Sequence, residues 1–351
     1  MSSTDPVPLG RPRQYGIDMP TLKDVAKASG VSVMTVSNVV NGRPRVSEAT
    51  RQRVLAAVDA LGYQVNLTAR SLRAGRSGTI ALSIPRVDHP YFAELAAAVT
   101  DALLPSGRHL VVEQTGASRE GELSALSQAR LQMYDGVLLS VVGLKDSEVA
   151  RLNGDMPLVL LGEKPMPTAR DHVQLGNFEG AQLATSYLIE RGARRIAIVG
   201  GTLDTDHTGM VGMRTGGWRA AHAAAGMDVD VRLVLPPAHF AMAESREMIR
   251  NAIAGGLLVD AVFAVTDQVA IGVMAGLHDC GLRVPHDVQV VGFDDLDVSE
   301  HLVPGLTTVD PRVDLVVAES LRLLERRMGG EESDAEHLVM PVRLVVRGTT
   351  R

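Results

Sequence analysis

The acidic run GFDDLD, residues 292–297, has side chains that could bind a ligand, because three carboxylates lie close together in it. Such a run could hold magnesium, yet it directly follows the apolar run VQVVGF, which is typical of a buried strand. In open parallel sheets, ligands bind in the crevice outside the carboxyl ends of the strands. We therefore interpret these carboxylates as candidate contacts for a small polar ligand rather than as a metal site.

A second candidate group follows the first predicted strand, TIALSIP, and consists of His89, Tyr91 and Phe92. By the same rule, side chains at this strand end can face the ligand crevice. The alternative is that they pack at the start of a helix, which the pattern predicts from Tyr91 to Leu104. The sequence leaves both interpretations open.

Familiar catalytic and metal-binding patterns are missing from the sequence. Neither the first predicted strand nor the segments GGTLDTDHTG and VGMRTGG carry G-x-G-x-x-G spacing, so dinucleotide binding is not supported. The 10 histidines are scattered, and the single cysteine, Cys280, excludes a disulfide framework and a multi-cysteine zinc site. We expect no cofactor, no metal and no enzyme activity, and an inert, buried thiol at Cys280.

The elements that position the two candidate groups follow a repeated pattern from Thr79 onwards. Short apolar runs alternate with spans compatible with helices, in the order TIALSIP, HLVVEQ, GVLLSVV, LVLLG, RIAIVGG, RLVL, AVFAV and VQVVGFD. This alternation predicts an α/β body in which parallel sheets carry helices on both faces. The region is long enough for two such sheets.

The region before Thr79 predicts short helices instead. In GVSVMTVSNVVNG, residues 30–42, an apolar stripe at Val36, Val39 and Val40 lies opposite a face of small and polar side chains. The preceding TLKDVAKASG has a capping-box-like start at Thr21 and a glycine exit. These features predict two helices joined by a tight turn.

A third helix is predicted from VSEATRQRVLAAVDALGY, with Ser47 as its N-cap. Its apolar stripe is expected at Val54, Leu55, Val58 and Leu61. Three short helices of this kind can bury one small core. Periodicity alone does not decide whether this unit binds anything.

Charge separates the two regions. Residues 1–78 carry 11 basic and 5 acidic side chains, a net charge of +6, whereas the rest carries 24 and 36, a net charge of −12. Because phosphate contacts supply most non-specific affinity for nucleic acid, this split favours DNA binding through the first region only. Residues 1–19 are polar and proline-rich without a secretory pattern, and we expect a disordered tail there.

The long stretch LKDVAKASGVSVMTVSNVVNGRPRVSEATRQRVLAAVDALGY closely resembles the helix-turn-helix headpiece of the lactose/galactose-repressor family of bacterial transcription regulators. Independently, GNFEGAQLATSYLIERGARRIAIVGG, GLTTVDP and PVRLVVRGTTR resemble later segments of that family, so the resemblance covers nearly everything after residue 20. The chain departs from the family pattern at Gly176, which replaces an aspartate, and at Val65, which replaces the proline before the hinge. The resemblance implies a body of two α/β subdomains similar to periplasmic sugar-binding proteins.

The family's DNA contacts can be carried over position by position. NLTARSL resembles its hinge helix, which lays Ala69 and Leu72 into the minor groove and bends the duplex. Asn38 stands where the family commonly has arginine. The resemblance implies DNA contacts at Thr21, Leu22, Ser32, Val33, Met34, Thr35, Ser37, Asn38, Asn41, Arg45, Val46, Ser47, Thr50, Tyr63, Asn66, Ala69 and Leu72.

The family's effector contacts can be carried over in the same way. Arg214, in RTGGW, resembles the family's ligand-clamping arginine, and Thr266 stands where relatives often have asparagine. The complete expected set is His89, Tyr91, Phe92, Arg214, Phe240, Thr266 and Asp294. An arginine and a carboxylate suit the vicinal hydroxyls of a sugar, because one donates in a fork and the other accepts. Purines and phosphorylated sugars remain alternatives.

The expected domains are a tail at 1–19, a headpiece at 20–64, a hinge at 65–78 and a body at 79–351. Within the body, we expect one subdomain from about 79–161 with 305–331 and another from about 162–304 with 332–351. We expect a cytoplasmic, ligand-responsive repressor that binds double-stranded operator DNA as a homodimer and contacts no membrane; no leucine-heptad tail follows the last strand. A solute-binding transport protein is the alternative, against which the basic headpiece and the missing signal peptide argue.

Overall fold

The chain divides into two units, Met1–Ser77 and Gly78–Arg351. The computed structural model describes residues 20–40, 43, 46–63, 77–149, 156–162, 166, 168–204, 209–236 and 239–351. We call the first unit the helical unit and the second unit the body. Each is described by itself.

The described residues of the helical unit form three α-helices, α1 (Leu22–Ser29), α2 (Val33–Val40) and α3 (Glu48–Leu61). At the start of α1, the backbone N–H and the hydroxyl of Thr21 both donate to Asp24 Oδ2, at 2.7 and 2.6 Å. Gly30 ends α1 with φ of 66°, a left-handed conformation that favours glycine. The short turn between α1 and α2 follows from this exit.

One apolar cluster holds the three helices together, with Val25, Val36, Val39 and Val54 buried at its centre. The predicted stripe of α3 was wrong at two positions, because the side chains of Leu55 and Leu61 are 39% and 36% exposed. The stripe instead runs through Val54, Ala57 and Val58, which share one helix face at the i, i+3, i+4 spacing.

The described residues of the body form two six-stranded sheets. Pairing is parallel throughout the first sheet, whose strands in spatial order are β11 (His337–Met340), β5 (Asp171–Leu175), β4 (Leu158–Gly162), β3 (Gly136–Val141), β1 (Thr79–Ile84) and β2 (His109–Gln114). The second sheet is parallel except at its antiparallel edge strand β12, and runs in the order β12 (Arg343–Val345), β10 (Thr307–Asp310), β9 (Gln289–Phe293), β8 (Ala261–Ala264), β6 (Ile196–Val199) and β7 (Val234–Leu235).

Helices cover both sheets. The described ones are α4 (Pro90–Leu103), α5 (Arg119–Ala125), α6 (Gln128–Leu131), α7 (Asp146–Val149), α8 (Asn177–Glu190), α9 (Met210–Ala224), α10 (Met242–Ala254), α11 (Asp267–Asp279), α12 (Asp297–His301) and α13 (Val313–Met328). Helices α4 and α13 share one apolar core with the first sheet, and α5 to α7 lie on the other face. Helices α8 to α11 pack on the second sheet. We call each sheet with its helices a subdomain.

The expected division of the body was wrong for three strands. β5 and β11 belong to the first sheet and β10 to the second, whereas the sequence pattern had placed each of them in the other half. The chain therefore crosses between the subdomains after β5, after β10 and after β11. Strand periodicity does not reveal this, because it shows that a segment is extended but not which distant strand it pairs with.

Strand β5 is unusual because its buried side chains include several polar ones. Asp171 is 1% exposed and accepts hydrogen bonds from Arg326 and Arg327 of α13. His172 is fully buried, and neither of its ring nitrogens has a hydrogen-bond partner. Burial lowers the pKa of His172 to about 4, with a smaller effect from His337. A neutral imidazole is therefore part of this subdomain's core at neutral pH.

Two further features of the fold concern exposure. Cys280, expected to be buried, follows α11 and is partly exposed. Among the helices in the described part of the chain, none has both the length and the apolar character that a membrane span requires.

Candidate DNA-contact and effector sites

The outer face of α2 is the first candidate site. The hydroxyl of Ser32 accepts from the backbone N–H of Thr35 at 3.1 Å, which fixes the start of the helix. The first turn of the helix contains Val33 and Met34, whose side chains are 38% and 69% exposed. Thr35, Ser37 and Asn38 are partly exposed. An apolar and amide-bearing face at a helix start can contact base edges and thymine methyl groups.

The other predicted DNA-contact residues of the helical unit divide into two groups. Thr21, Ser47 and Thr50 lie at helix starts, and the hydroxyl of Ser47 donates to that of Thr50 at 3.0 Å. Leu22, Val46 and Tyr63 are partly buried and pack against the apolar cluster of this unit. The predicted contacts that lie outside the described residues are Asn41, Arg45, Asn66, Ala69 and Leu72.

Arg214 is the centre of the second candidate site. It lies on α9 with only 2% of its surface exposed. Its Nε donates to Asn177 Oδ1 at 2.8 Å, and its Nη1 donates to the carbonyl oxygen of Val265. The guanidinium carbon lies 3.4 Å from the centroid of the Phe293 ring, and Nη1 lies 3.6 Å from Asp294 Oδ1. The structure thus brings Arg214 and Asp294 together and adds Asn177, which the sequence did not identify as a partner.

Asp294 lies at the carboxyl end of β9 in a strained backbone. Its φ is 122° and that of Asp295 is 51°, in a region that non-glycine residues rarely adopt and that recurs at ligand sites. The N–H of Asp294 donates to Val309 O at 2.9 Å, and that of Asp295 to Thr308 Oγ1 at 3.4 Å. Asp295 Oδ1 forms an ion pair with Nη1 of Arg347, at 2.8 Å.

Asp267 supports the loop of Asp294, and sequence reasoning missed it. Its fully buried carboxylate accepts from the backbone N–H of Leu296 at 3.0 Å, from Ser299 Oγ at 2.6 Å and from Thr308 Oγ1 at 2.5 Å. Burial raises the pKa of Asp267, and these hydrogen bonds act in the opposite direction. A Cβ on Gly292 would collide with this carboxylate, so the glycine of GFDDLD is needed for close approach. The available signal for Asp267 in the sequence was its position directly after Thr266, a predicted effector contact.

Thr266 and Phe240 are the remaining predicted contacts in the second subdomain. Thr266 follows β8, is 2% exposed, and its hydroxyl accepts from the N–H of Val269 at 3.2 Å. It therefore caps α11 at the carboxyl edge of the sheet. Phe240 is partly buried and packs against the core of this subdomain.

His89 lies across from Arg214, at the start of α4 in the first subdomain. Burial lowers the pKa of His89, and the charge of Arg214 lowers it further. The Nδ1 atom of His89 is buried and has no hydrogen-bond partner. The backbone N–H of Asp297, after β9, donates to Oε1 of Glu94 on α4 at 3.2 Å, so the two subdomains face one another here. We call the space between the carboxyl edges of the two sheets the cleft.

Tyr91 and Phe92 lie deeper than His89. Each is 8% exposed, their rings meet edge to face at 5.1 Å, and both belong to the core shared by α4, α13 and the first sheet. They also line a small cavity with Ser140 and Gly162 near the carboxyl ends of β3 and β4. Their packing at the start of α4 matches the alternative that the sequence left open.

The loop after β3 borders the same edge of the first sheet. Glu122 of α5 is fully buried, and its carboxylate accepts from the backbone N–H groups of Val142, Gly143 and Leu144, at 2.9, 2.7 and 3.0 Å. This carboxylate fixes the loop from below. Sequence reasoning did not identify Glu122, because the N–H groups that donate to it lie 20 to 22 residues further along the chain.

Metal binding finds no support in this geometry. In GFDDLD, Asp294 faces Arg214 and Asp295 faces Arg347. Among the residues that the structure describes, no three His, Cys, Asp or Glu side chains are placed to hold a metal ion. The acidic run is instead part of a polar site that includes two arginines.

Comparison with known proteins identifies the family. Over 333 residues, the chain is 34% identical to the ribose operon repressor of Halalkalibacterium halodurans, covering 95% of this chain and 98% of that relative. The chain belongs to the lacI family of bacterial regulatory proteins. The pattern of that lacI family matches residues 21–66, and the pattern of a periplasmic binding protein-like domain matches residues 185–350. The predicted family and fold class are confirmed, as is the prediction of a regulator rather than an enzyme.

Two solved lacI-type structures are similar over nearly the whole chain. A complex of the transcriptional regulator CelR with cellobiose is 33% identical, with a TM-score of 0.68, and covers 94% of this chain and 99% of that one. The lac repressor dimer bound to operator and the anti-inducer ONPF is 26% identical, with a TM-score of 0.80, and covers 95% and 99%. The helical unit and the body of this lacI-family protein thus have counterparts in single chains of known structure.

Proposed function

We propose that this lacI-family protein is a dimeric repressor whose affinity for operator DNA is switched by a small polyhydroxylated metabolite bound in the cleft. The observation that carries the proposal is the buried pair of Arg214 and Asp294, 3.6 Å apart at the carboxyl edge of the second sheet and opposite His89. The pair combines a forked donor with an acceptor, which suits neighbouring hydroxyl groups. The repressor works in the cytoplasm, where its DNA lies.

The helical unit supplies the DNA contacts in this proposal. The exposed face of α2, with Val33, Met34 and Asn38, reads base edges in the major groove. Hydroxyl and backbone groups at the starts of α1 and α3 contact phosphates, because helix N-termini favour anions. Ala69 and Leu72, outside the described residues, act at the minor groove as the family resemblance implies.

Dimer formation follows from two supports. The lac repressor structure contains a dimer on its operator. A twofold-symmetric protein presents one recognition helix to each half-site, so a pseudo-palindromic operator is expected.

The second subdomain and the first are joined by three chain crossings, which lets cleft closure alter the first subdomain and, through residues 65–78, the headpiece.

A sugar is the favoured effector. Cellobiose occupies the CelR complex, and the relative from Halalkalibacterium halodurans is named for ribose. Purines were an alternative in the sequence analysis, and several relatives are named transcriptional repressor PurR, so nucleobases stay in the test panel. Arg214, Asp294 and His89 are the proposed polar contacts, with Thr266 and Phe240 beside them and Tyr91 and Phe92 beneath.

A gel-shift experiment tests the proposal. Genomic fragments are bound at rising salt and then in the presence of ribose, cellobiose and purine bases. A repressor should lose affinity steeply with salt, because each phosphate contact releases counterions. A solute-binding protein would bind the sugar without shifting any fragment, and that result would disprove the DNA-binding proposal.

A further inference from the structure

The loop that carries Asp294 is held from both sides of the cleft. Its four consecutive backbone N–H groups, from Asp294 to Asp297, all donate hydrogen bonds. The first three use acceptors of the second subdomain, as described above. The fourth, from Asp297, donates to Oε1 of Glu94 at 3.2 Å, and Glu94 lies on α4 of the first subdomain. One carboxyl group therefore bridges the cleft.

We propose that Glu94 is a positioning residue that fastens the loop of Asp294 to α4, so that the closed state of the cleft depends on the charge of this carboxyl group. The inference rests on the proposed effector site, because Asp294 belongs to that site. It adds a means of regulation: conditions that change the charge of Glu94 change how readily the cleft closes.

The surroundings of Glu94 determine the direction of the effect. Burial raises the pKa of Glu94 above its usual 4.5, and the carboxylates of Asp297, Asp267 and Asp295 raise it further. The hydrogen bond from the N–H of Asp297 acts in the opposite direction and does not outweigh them. The closed cleft therefore disfavours the ionised form of Glu94. The neutral form still offers a carbonyl oxygen to the N–H of Asp297, and the three carboxylates do not repel it.

A dependence on pH follows. When the cleft opens, Glu94 becomes hydrated and its pKa returns towards the usual value. Because the closed state has the higher pKa, it binds a proton more tightly, and closure is favoured as pH falls towards that raised value. As pH rises through the raised pKa, this contribution is lost.

Hydrogen exchange on the full-length protein, without effector or DNA, tests the proposal. The protection factor of the Asp297 amide is measured at about pH 8 and about pH 5, corrected for the intrinsic exchange rate. Two substitutions separate the roles of the side chain: Glu94→Gln keeps an acceptor without charge, and Glu94→Met keeps the length without an acceptor. Asp101→Asn, at an exposed position of the same helix, is the matched control.

In the wild type, protection of the Asp297 amide should rise about two- to tenfold on acidification, the range that one hydrogen bond supplies. Glu94→Gln should give the high value at both pH values, Glu94→Met the low value at both, and Asp101→Asn should match the wild type. The Leu296 amide, held by Asp267 within the second subdomain, should stay protected in every variant.

The proposal is overturned if Glu94→Met protects the Asp297 amide as well as the wild type does. It is equally overturned if Leu296 loses protection together with Asp297, since the loop would then be unfolding locally rather than separating from α4. Neither readout uses an effector or an operator. Failure of the repressor proposal in the gel-shift assay is therefore distinguishable from failure of this inference.

Discussion

Replacing Asp294 with asparagine removes one charge from the cleft and little else. The amide has the size of the carboxylate, so the loop from β9 and its hydrogen bonds to Val309 and Thr308 should persist. Arg214 keeps its bonds to Asn177 and to the carbonyl of Val265. What is lost is the negative charge 3.6 Å from its Nη1 atom.

The magnitude follows from that distance and from burial. Two unit charges 3.6 Å apart attract by roughly 4–5 kcal/mol at an effective dielectric constant of about 20. Part of this is regained, because the carboxylate no longer has to be buried. We expect Asp294→Asn to lower the free energy of unfolding by about 2–4 kcal/mol. Effector affinity should fall by a similar amount, which is about 30- to 1,000-fold.

Calorimetry and melting curves check both effects. The ligand is whichever sugar or nucleobase raises the melting temperature of the wild type, and binding is measured where the variant is folded. Asp279→Asn is the matched control, because Asp279 pairs with Arg246 at 2.7 Å on the surface of the same subdomain. That exposed pair should contribute little to stability, because solvent screens its charges, and nothing to effector binding.

The variant should still shift operator DNA but should not respond to effector at concentrations that saturate the wild type. Cleft and operator are coupled only through the difference in effector affinity between closed and open states. A folded Asp294→Asn protein with wild-type effector affinity would refute the clamp, and the pair with Arg214 would then have a structural role alone.

Three further predictions concern other parts of the chain. Asn38→Arg should shift operator preference from adenine towards guanine at one position per half-site, at about 1–3 kcal/mol per mismatch; an unchanged randomised-site selection would reject this contact. As pH falls from 6.5 to about 4, the wild type should lose about 3 kcal/mol of its free energy of unfolding, because His172 takes up a proton in the unfolded chain before it does in the folded one. His172→Gln should remove this loss. Exposed His109→Gln should retain it, and urea titrations at each pH measure both variants. Glu122→Gln should lower the free energy of unfolding by about 1–3 kcal/mol in urea, because its NH₂ group cannot accept backbone N–H bonds, whereas exposed Glu120→Gln should match the wild type.

Local patterns in the sequence were sufficient for the helical unit and for most strands. The exchange between Thr21 and Asp24 and the stripe of α2 involve residues three or four apart, so the sequence displays them directly. Strands made of apolar runs were likewise predictable. Strand β5 was not, because it reads DHVQL, and its Asp171 is buried through bonds to a helix about 155 residues away.

The candidate site also contains residues that the sequence predicts and residues that it does not. From residue types at strand ends and from the family resemblance, we assigned Arg214 and Asp294 to one expected site. The residues that hold them in place, Asn177 and Asp267, act through hydrogen bonds spanning 29 to 41 residues, and no spacing rule connects such pairs. Sequence reasoning therefore found the groups that would touch a ligand better than it found their supports.

The late crossings of the chain have a consequence for its synthesis. The first sheet is completed by β11 at residues 337–340 and the second by β12 at residues 343–345. Until the ribosome has added these residues, β5 and β10 each present an open strand edge, which can pair with other nascent chains. Neither half can finish folding ahead of the other, because their last strands emerge from the exit tunnel almost together. Both edges therefore stay without their native partner strands through nearly the whole translation of the chain.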